Sequence, residues 1–426
     1  MNKSKKLTIY YLSPMFKPFI GGAEISLERL LVGLKKEGKV NHFLITSLID
    51  EVGNLVAGED EISEDTVRVG FSKNTPITDS SNWKRAMAEK LVQRLIDHSS
   101  EIDLIYLNSH IFFQFPDLIG KILSLKKPVI LKIIYTKALS VLEPCKEFLL
   151  TSSAKKYLSI HCVSKNIQKQ VLEFGFLKKQ LFFCPNAIDL DQFRARRAED
   201  RLFLKNRFNV SEDDILFIFS GRFSPQKNID KIVEMFETLE RRKEKIKLFM
   251  VGYVSHTKTA ELVERLKKQS KNIFWVDRVE NKEMANYLRA ADCFVMASRD
   301  EGMSNSLIEA MASGLCPIVP EQISGMGDLV QHSVSGVLYD LSNKNALIQD
   351  LEKIDRDRAL SLGRKARQNI AELCGIDRVA STHSSFYKSK LGKNKAVFCI
   401  VAHNEEDNIC ALVDKIKNEP FPDNSS

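Results

Sequence analysis

Glu301 and Glu309 stand eight residues apart in the stretch "SRDEGMSNSLIEAMASGLCPIVP", and Arg222 and Lys227 stand five apart in "SGRFSPQKNIDKI". Two cations in a loop ahead of a helix can neutralise a diphosphate that gains charge as it leaves. A solvent-facing Arg and Lys without a role would look the same in isolation. Glu309 is flanked by Leu307, Ile308, Ala310 and Met311, and a carboxylate buried in such company needs hydrogen-bond donors. Sugar or ribose hydroxyls would supply them; a helix cap or a salt bridge is the other way to satisfy it. A third feature is Gly21-Gly22 in "SPMFKPFIGGAEISLERL". Paired glycines let the backbone approach a ligand, and a helix start offers unpaired N–H groups to an anion, although such a pair also serves as a plain turn.

The elements that must position these residues alternate strand and helix. The periodicities predict strands at 7–12, 42–46, 103–107, 129–134, 159–163 and 181–184, with helices at 23–36 and 83–96 between them. A second series follows the polar stretch "CPNAIDLDQFRARRAEDR", with strands at 215–220, 246–251, 273–276, 293–297 and 316–319. Alternation of this kind means α/β domains with parallel sheets covered by helices. Two doubly wound domains are expected to meet near residue 195. Ligands of such sheets bind beyond the carboxyl ends of the strands, where all three features fall. "MSNSLIEAMA" should begin a helix capped by Ser304 or Asn305, with Glu309 about one turn inside it. "GLKKEGKV" imitates a P-loop, but Val40 stands where Ser or Thr is required and its glycines close a helix instead of opening one.

Composition narrows the class. With 44% hydrophobic and 28% charged residues, the 426-residue chain is globular, and its apolar runs are strand-sized, well short of a membrane span. A cytoplasmic protein is expected, because "MNKSKKLTIYYLSP" lacks a signal-peptide core. The eight cysteines are scattered without C-x-x-C spacing, so neither disulfide nor zinc is expected. Between Lys121 and Lys179 twelve lysines face Glu143, Glu147 and Glu173, a surplus of nine. This strip is either a solvated face or a surface for anionic lipid or an anionic acceptor. No aromatic interleaving points to nucleic acid.

The order of these motifs resembles the retaining GT-B glycosyltransferases of family four (glycosyl transferases group 1), whose E-x(7)-E signature matches Glu301 and Glu309 in "EGMSNSLIEAMASG". The likeness extends to Gly21 and Gly22, "GRFSPQK" and "PNAIDLDQF", spanning roughly residues 5 to 390. It implies two Rossmann-like domains facing across a cleft: residues 1–195 on the acceptor side, completed by a helix at 376–391, and residues 196–375 binding the nucleotide sugar. It further implies that Arg222 and Lys227 hold the diphosphate, Glu309 takes the ribose hydroxyls and Glu301 contacts the transferred sugar. Backbone around Gly302, Met303, Ser304, Asn305 and Leu307 would complete the pocket, and Gly21 and Gly22 would touch the diphosphate from the first domain. Family members carry a His after an Asp-led strand; here Asn108 takes that position and His110, two residues later, is the candidate. His161, within an apolar run, is expected to be structural.

The resemblance implies transfer of a sugar with retention of configuration and without a metal. A UDP-sugar is favoured over a GDP-sugar by the form of "EGMSNSLIEAMA". The acceptor would be a glycan or a lipid-linked glycan, met at the inner membrane face through segment 121–179. A nucleotide-sugar epimerase on the same fold, or a non-catalytic sugar-nucleotide-binding protein, is the alternative. Finally, "AVFCIVAHNEEDNICALVDKIK" resembles the opening β-α unit of family-two GT-A glycosyltransferases. Residues 393–426 are therefore expected to be the start of a further domain, as in a longer two-transferase polypeptide, or a strand and helix packed on the GT-B body.

Overall fold

The computed structural model describes residues 6–19, 21–50, 54–71, 82–135, 138–208, 210–254, 257–268, 270–321 and 325–391. The expected GT-A-like unit at 393–426 lies outside the described residues.

Residues up to Phe183 build one sheet from β1 (Leu7–Ser13), β2 (Val40–Ser47), β3 (Glu61–Ile62), β4 (Thr66–Val69), β5 (Leu104–Leu107), β6 (Val129–Ile133), β7 (Leu158–Cys162) and β8 (Leu181–Phe183). Their spatial order is β3-β4-β2-β1-β5-β6-β7-β8, and all pairs are parallel except β3 with β4. Every residue of β5, β6 and β7 is buried, as befits parallel strands covered on both faces. Sequence periodicity misses β3 and β4, whose two and four residues are too short to display a period.

The second sheet contains β9 (Ile215–Ser220), β10 (Ile246–Val251), β11 (Ile273–Val276), β12 (Cys293–Val295), β13 (Cys316–Pro320) and β14 (Val337–Tyr339). It runs β11-β10-β9-β12-β13-β14, all parallel. Relative to β9 this is the doubly wound order 3-2-1-4-5-6, whose strand order reverses between the first and fourth strands. That reversal lies between β9 and β12, the strands that precede Arg222 and Glu301. The first sheet reverses likewise between β1 and β5, which precede Gly21 and His110.

Five helices matter to the site: α1 (Gly22–Glu37), α2 (Ile229–Glu240), α3 (Asn305–Ala312), α4 (Arg356–Cys374) and α5 (Ile376–Leu391). Helix α1 ends as expected at Gly38, whose φ of 66° suits glycine and whose N–H bonds to Leu34 O. Helix α5 lies across α1. A Cβ on Gly33 would stand 2.9 Å from Ile376 Cγ1 and 3.1 Å from Ala380 Cβ, so the missing side chain admits that crossing. One apolar cluster includes residues of both sheets, with Ile188, Phe193 and Met303 among its members.

Candidate active site

Two helix amino termini meet where the two sheets face each other. Gly22 opens α1 and Asn305 opens α3, and Asn305 Nδ2 donates to Gly22 O at 2.6 Å. Further along, Arg29 of α1 reaches Glu309 of α3 at 2.6 Å. Each amino terminus carries partial positive charge and unpaired N–H groups. Together they form a place for an anion. Helix α3 starts where the sequence expects, since Ser304 Oγ accepts the Leu307 N–H at 3.4 Å.

The charged residues converge from the loops after the strands. Lys227, in a 3-10 turn at Pro225–Lys227, forms an ion pair with Glu301, and their side chains are only 15% and 12% exposed. Arg222 is exposed. Its charge, with that of Lys132, acts on the Glu24 carboxyl across the seam, where burial nevertheless holds the pKa of Glu24 above the ordinary value. A Cβ on Gly21 would fall 2.3 Å from Glu24 Oε2, the movable end of that side chain, so a larger residue here would displace the Glu24 carboxyl.

Lys132 is fully buried at the end of β6, and burial lowers its pKa from 10.5 to about 8. It donates to Ser26 Oγ; Ser26 Oγ donates to Asn186 Oδ1 at 2.7 Å, and Asn186 Nδ2 to Asn305 Oδ1 at 3.0 Å. This chain of polar groups fixes the start of α3 against the first sheet.

Glu309 is buried, as its apolar neighbours in sequence suggest. Its donor within the protein is Arg29, and the two side chains are 8% and 7% exposed. Arg29 lies over the Phe193 ring at 5.2 Å. Gly302 lies close against the first half: a Cβ there would come within 1.8 Å of Ile134 O. Met303 is packed away, with its sulfur accepting the Asn186 N–H at 3.4 Å. Leu307, expected from the resemblance in the ligand pocket, has a fully buried side chain, and its N–H faces Ser304 Oγ.

His110 lies beyond β5 and contacts the Tyr135 hydroxyl through Nε2 at 3.1 Å. Burial and the Lys84 charge lower its pKa. The Tyr135 pKa is pushed upward by burial and then by the Asp300 charge. Asn108 donates to Ser13 Oγ and Ala23 O at 3.2 and 3.4 Å, and its Oδ1 is buried without a partner. His161 is a core residue: Nδ1 meets Tyr106 Oη at 2.5 Å and Nε2 meets Cys184 O at 2.7 Å. With Cys184 and His383 it forms the one group of metal-ligand type among the described residues, yet both its nitrogens are engaged by protein, and burial, with the Lys132 charge behind it, lowers both histidines.

Sequence reasoning passes over Arg29, Glu24, Lys132 and Asn186. Lys132 leaves a trace as the single charge in the strand "VILKI", and Glu24 as an acid in the first turn behind Gly21-Gly22.

Comparison with known proteins bears on the fold. Solved structures share the fold: sucrose-phosphate synthase from Thermosynechococcus elongatus matches 90% of this chain and 99% of its own at a TM-score of 0.71 and 19% identity. Anabaena HepE in complex with UDP-glucose matches 90% and 100% at 0.68 and 14%. The fold is therefore GT-B, with two Rossmann-like parallel sheets. Within it, residues 200–372 match the family Glycosyl transferases group 1, and this segment carries a domain of that family. Over 220 residues the chain is 26% identical to a GDP-mannose-dependent alpha-(1-6)-phosphatidylinositol monomannoside mannosyltransferase of Mycobacterium tuberculosis, covering 49% of this chain and 56% of the relative. Over 176 residues it is 31% identical to a D-inositol 3-phosphate glycosyltransferase of Xylanimonas cellulosilytica, covering 39% and 41%. The chain thus spans about half the length of the curated relatives it matches.

Proposed function

We propose that this protein is a glycosyltransferase that moves a sugar from a nucleoside-diphosphate donor to a hydroxyl of a glycan or lipid-linked acceptor, with retention of configuration. The observation that carries this reading is the meeting of two helix amino termini with Lys227, Glu301 and Glu309 at the switch points of two parallel sheets. In the reaction the bond from the anomeric carbon to the diphosphate oxygen breaks, and its electron pair stays on the departing diphosphate. Lys227, Arg222 and the two helix termini stabilise that charge. The acceptor hydroxyl bonds to the anomeric carbon on the same face and passes its proton to the departing oxygen. Glu301 orients the sugar, Glu309 the ribose, and backbone at Gly22, Gly302 and Asn305 lines the phosphates; His110 approaches the sugar from the first sheet. The first half, 1–195 with 376–391, serves the acceptor, and 196–375 the donor.

This chemistry needs no metal, so turnover should survive excess EDTA. UDP is the favoured nucleotide from the motif "EGMSNSLIEAMA"; a UDP-glucose complex of a protein of the same fold supports it, while the mycobacterial relative's name specifies GDP-mannose. That name also describes a lipid acceptor, in keeping with the basic segment 121–179. Among the described residues no helix is long and apolar enough to cross a membrane. On this reading the basic segment meets such an acceptor at the cytoplasmic face. The test is a thermal-shift screen of UDP- and GDP-sugars, in which a cognate donor raises the melting temperature because it binds only the folded state. The absence of a shift with every nucleotide sugar would contradict the reading.

A further inference from the structure

The contact between Arg29 and Glu309 is more than a satisfied charge. Glu309 Oε1 accepts from Arg29 Nη2 at 2.6 Å, while Glu309 Oε2 takes no hydrogen bond among the described residues. On the other side of the pair, Arg29 Nη1 is buried with no hydrogen-bond partner. A buried guanidinium with an unpaired nitrogen is costly, and here the cost falls beside a carboxylate with one oxygen free. Phe193 packs under the guanidinium at 5.2 Å and is itself fully buried, so the Arg29 fork is held in plane and cannot simply swing to solvent. Arg29 comes from the first sheet's helix and Glu309 from the second's, which makes this a two-sided recognition element.

A ribose hydroxyl complements both halves. Its O–H donates to a carboxylate, and its oxygen lone pairs accept from a guanidinium. An apolar ring or a phosphate would satisfy only one of the two groups.

We infer that Arg29 is a specificity-determining residue: it aims Glu309 at the donor ribose and supplies, through Nη1, a second hydrogen bond to the same diol, so that the site selects ribonucleotides. This inference rests on the reading of Glu309 as the ribose-binding carboxylate. It also gives the first half of the chain a part in recognising the donor's ribose, beside its contacts to the phosphates and the sugar.

The experiment compares dissociation constants of UDP, 2′-deoxy-UDP and 3′-deoxy-UDP, with the GDP series in parallel, for the native protein and for Arg29→Met, Arg29→Lys and Glu309→Gln. The native protein should prefer one ribonucleotide over a deoxy analogue by at least about 10-fold, since a site built to pair a hydroxyl rejects the analogue lacking it. Arg29→Met should reduce that preference to about threefold or less, with little change in binding of the deoxy analogue. Arg29→Lys, which keeps a charge without the fork, should fall between and decides the matter if the Met variant does not fold. Equal weakening of ribo and deoxy ligands by the Arg29 variants would make the pair a structural link only and overturn the inference, as would an unchanged preference. A preference lost in Glu309→Gln but kept in the Arg29 variants would reject Arg29 alone. A preference kept in Glu309→Gln, or no binding of any nucleoside diphosphate to the native protein, would reject the underlying reading of the site.

Discussion

Lys227 and Glu301 hold each other, so on the proposed reading a donor diphosphate would share the lysine with the carboxylate. Removal of either partner should therefore damage catalysis far more than folding. Lys227→Ala is expected to lower kcat/KM by about 10²- to 10³-fold, the scale of losing one stabiliser of developing charge. The double variant with Glu301→Ala should lose less than the product of the two single losses, because they share one interaction; steady-state nucleoside-diphosphate release checks both. Lys132 supplies a test by pH. Its folded pKa of about 8 lies below the 10.5 of the free side chain, so between those values the unfolded chain binds more protons than the folded one. The stability contributed at this position is lowest below pH 8 and rises with pH through that window. The native protein should therefore gain on Lys132→Met, in urea unfolding, as pH is raised from 7 to 10; a constant difference would show that the lysine does not titrate there.

At the scale of elements, the strands of four or more residues other than β4, and the helices at 23–36 and 83–96, were legible because buried parallel strands and amphipathic helices leave a period, whereas the 19-residue α4 was not singled out. The short β3, β4 and β14 were not, and their edges are set by pairing with neighbours. The start of α3 was legible from Ser304, a residue with a capping preference that acts locally. Docking of α5 was less so, since it depends on Gly33, His161, His383, Tyr11 and Tyr387 meeting over long separations. Gly33→Leu should destabilise the protein by about 1–3 kcal/mol through overpacking against Ile376 and Ala380. His161 and His383 are neutral in the folded core, with His161 lowered to about 3 by burial and the Lys132 charge. Below the free-imidazole value of 6.5 the unfolded chain takes up protons that the folded core refuses, so stability is lost as pH falls from 6.5 toward 3. His383→Phe should flatten part of that slope, whatever its stability at pH 7; an unchanged slope would contradict the burial of a neutral ring.

Across the whole molecule, the site consists of contacts between residues far apart in sequence: Gly22 with Asn305, Arg29 with Glu309, Lys132 through Ser26 to Asn186. Residue types and loop positions singled out the proposed donor-side residues Arg222, Lys227, Glu301 and Glu309, because each stands beside a recognisable strand end or helix start; the structure pairs Lys227 with Glu301, buries Glu309 and leaves Arg222 exposed. The first-sheet partners Arg29, Glu24 and Lys132 carry no local signature, as their meaning comes only from what the fold brings opposite them. Gly302 belongs to the same scale. Gly302→Ala would drive a Cβ into Ile134 O and should separate the two halves, lowering kcat/KM while leaving far-ultraviolet circular dichroism unchanged. The most direct measurement of the whole scheme is the rate of nucleoside-diphosphate release from a panel of UDP- and GDP-sugars by the native protein, Lys227→Ala and Glu301→Ala. Release from at least one nucleotide sugar, reduced 100-fold or so in both variants, is the expected result; no release from any of them, or equal rates in all three proteins, would contradict a donor site between the two sheets.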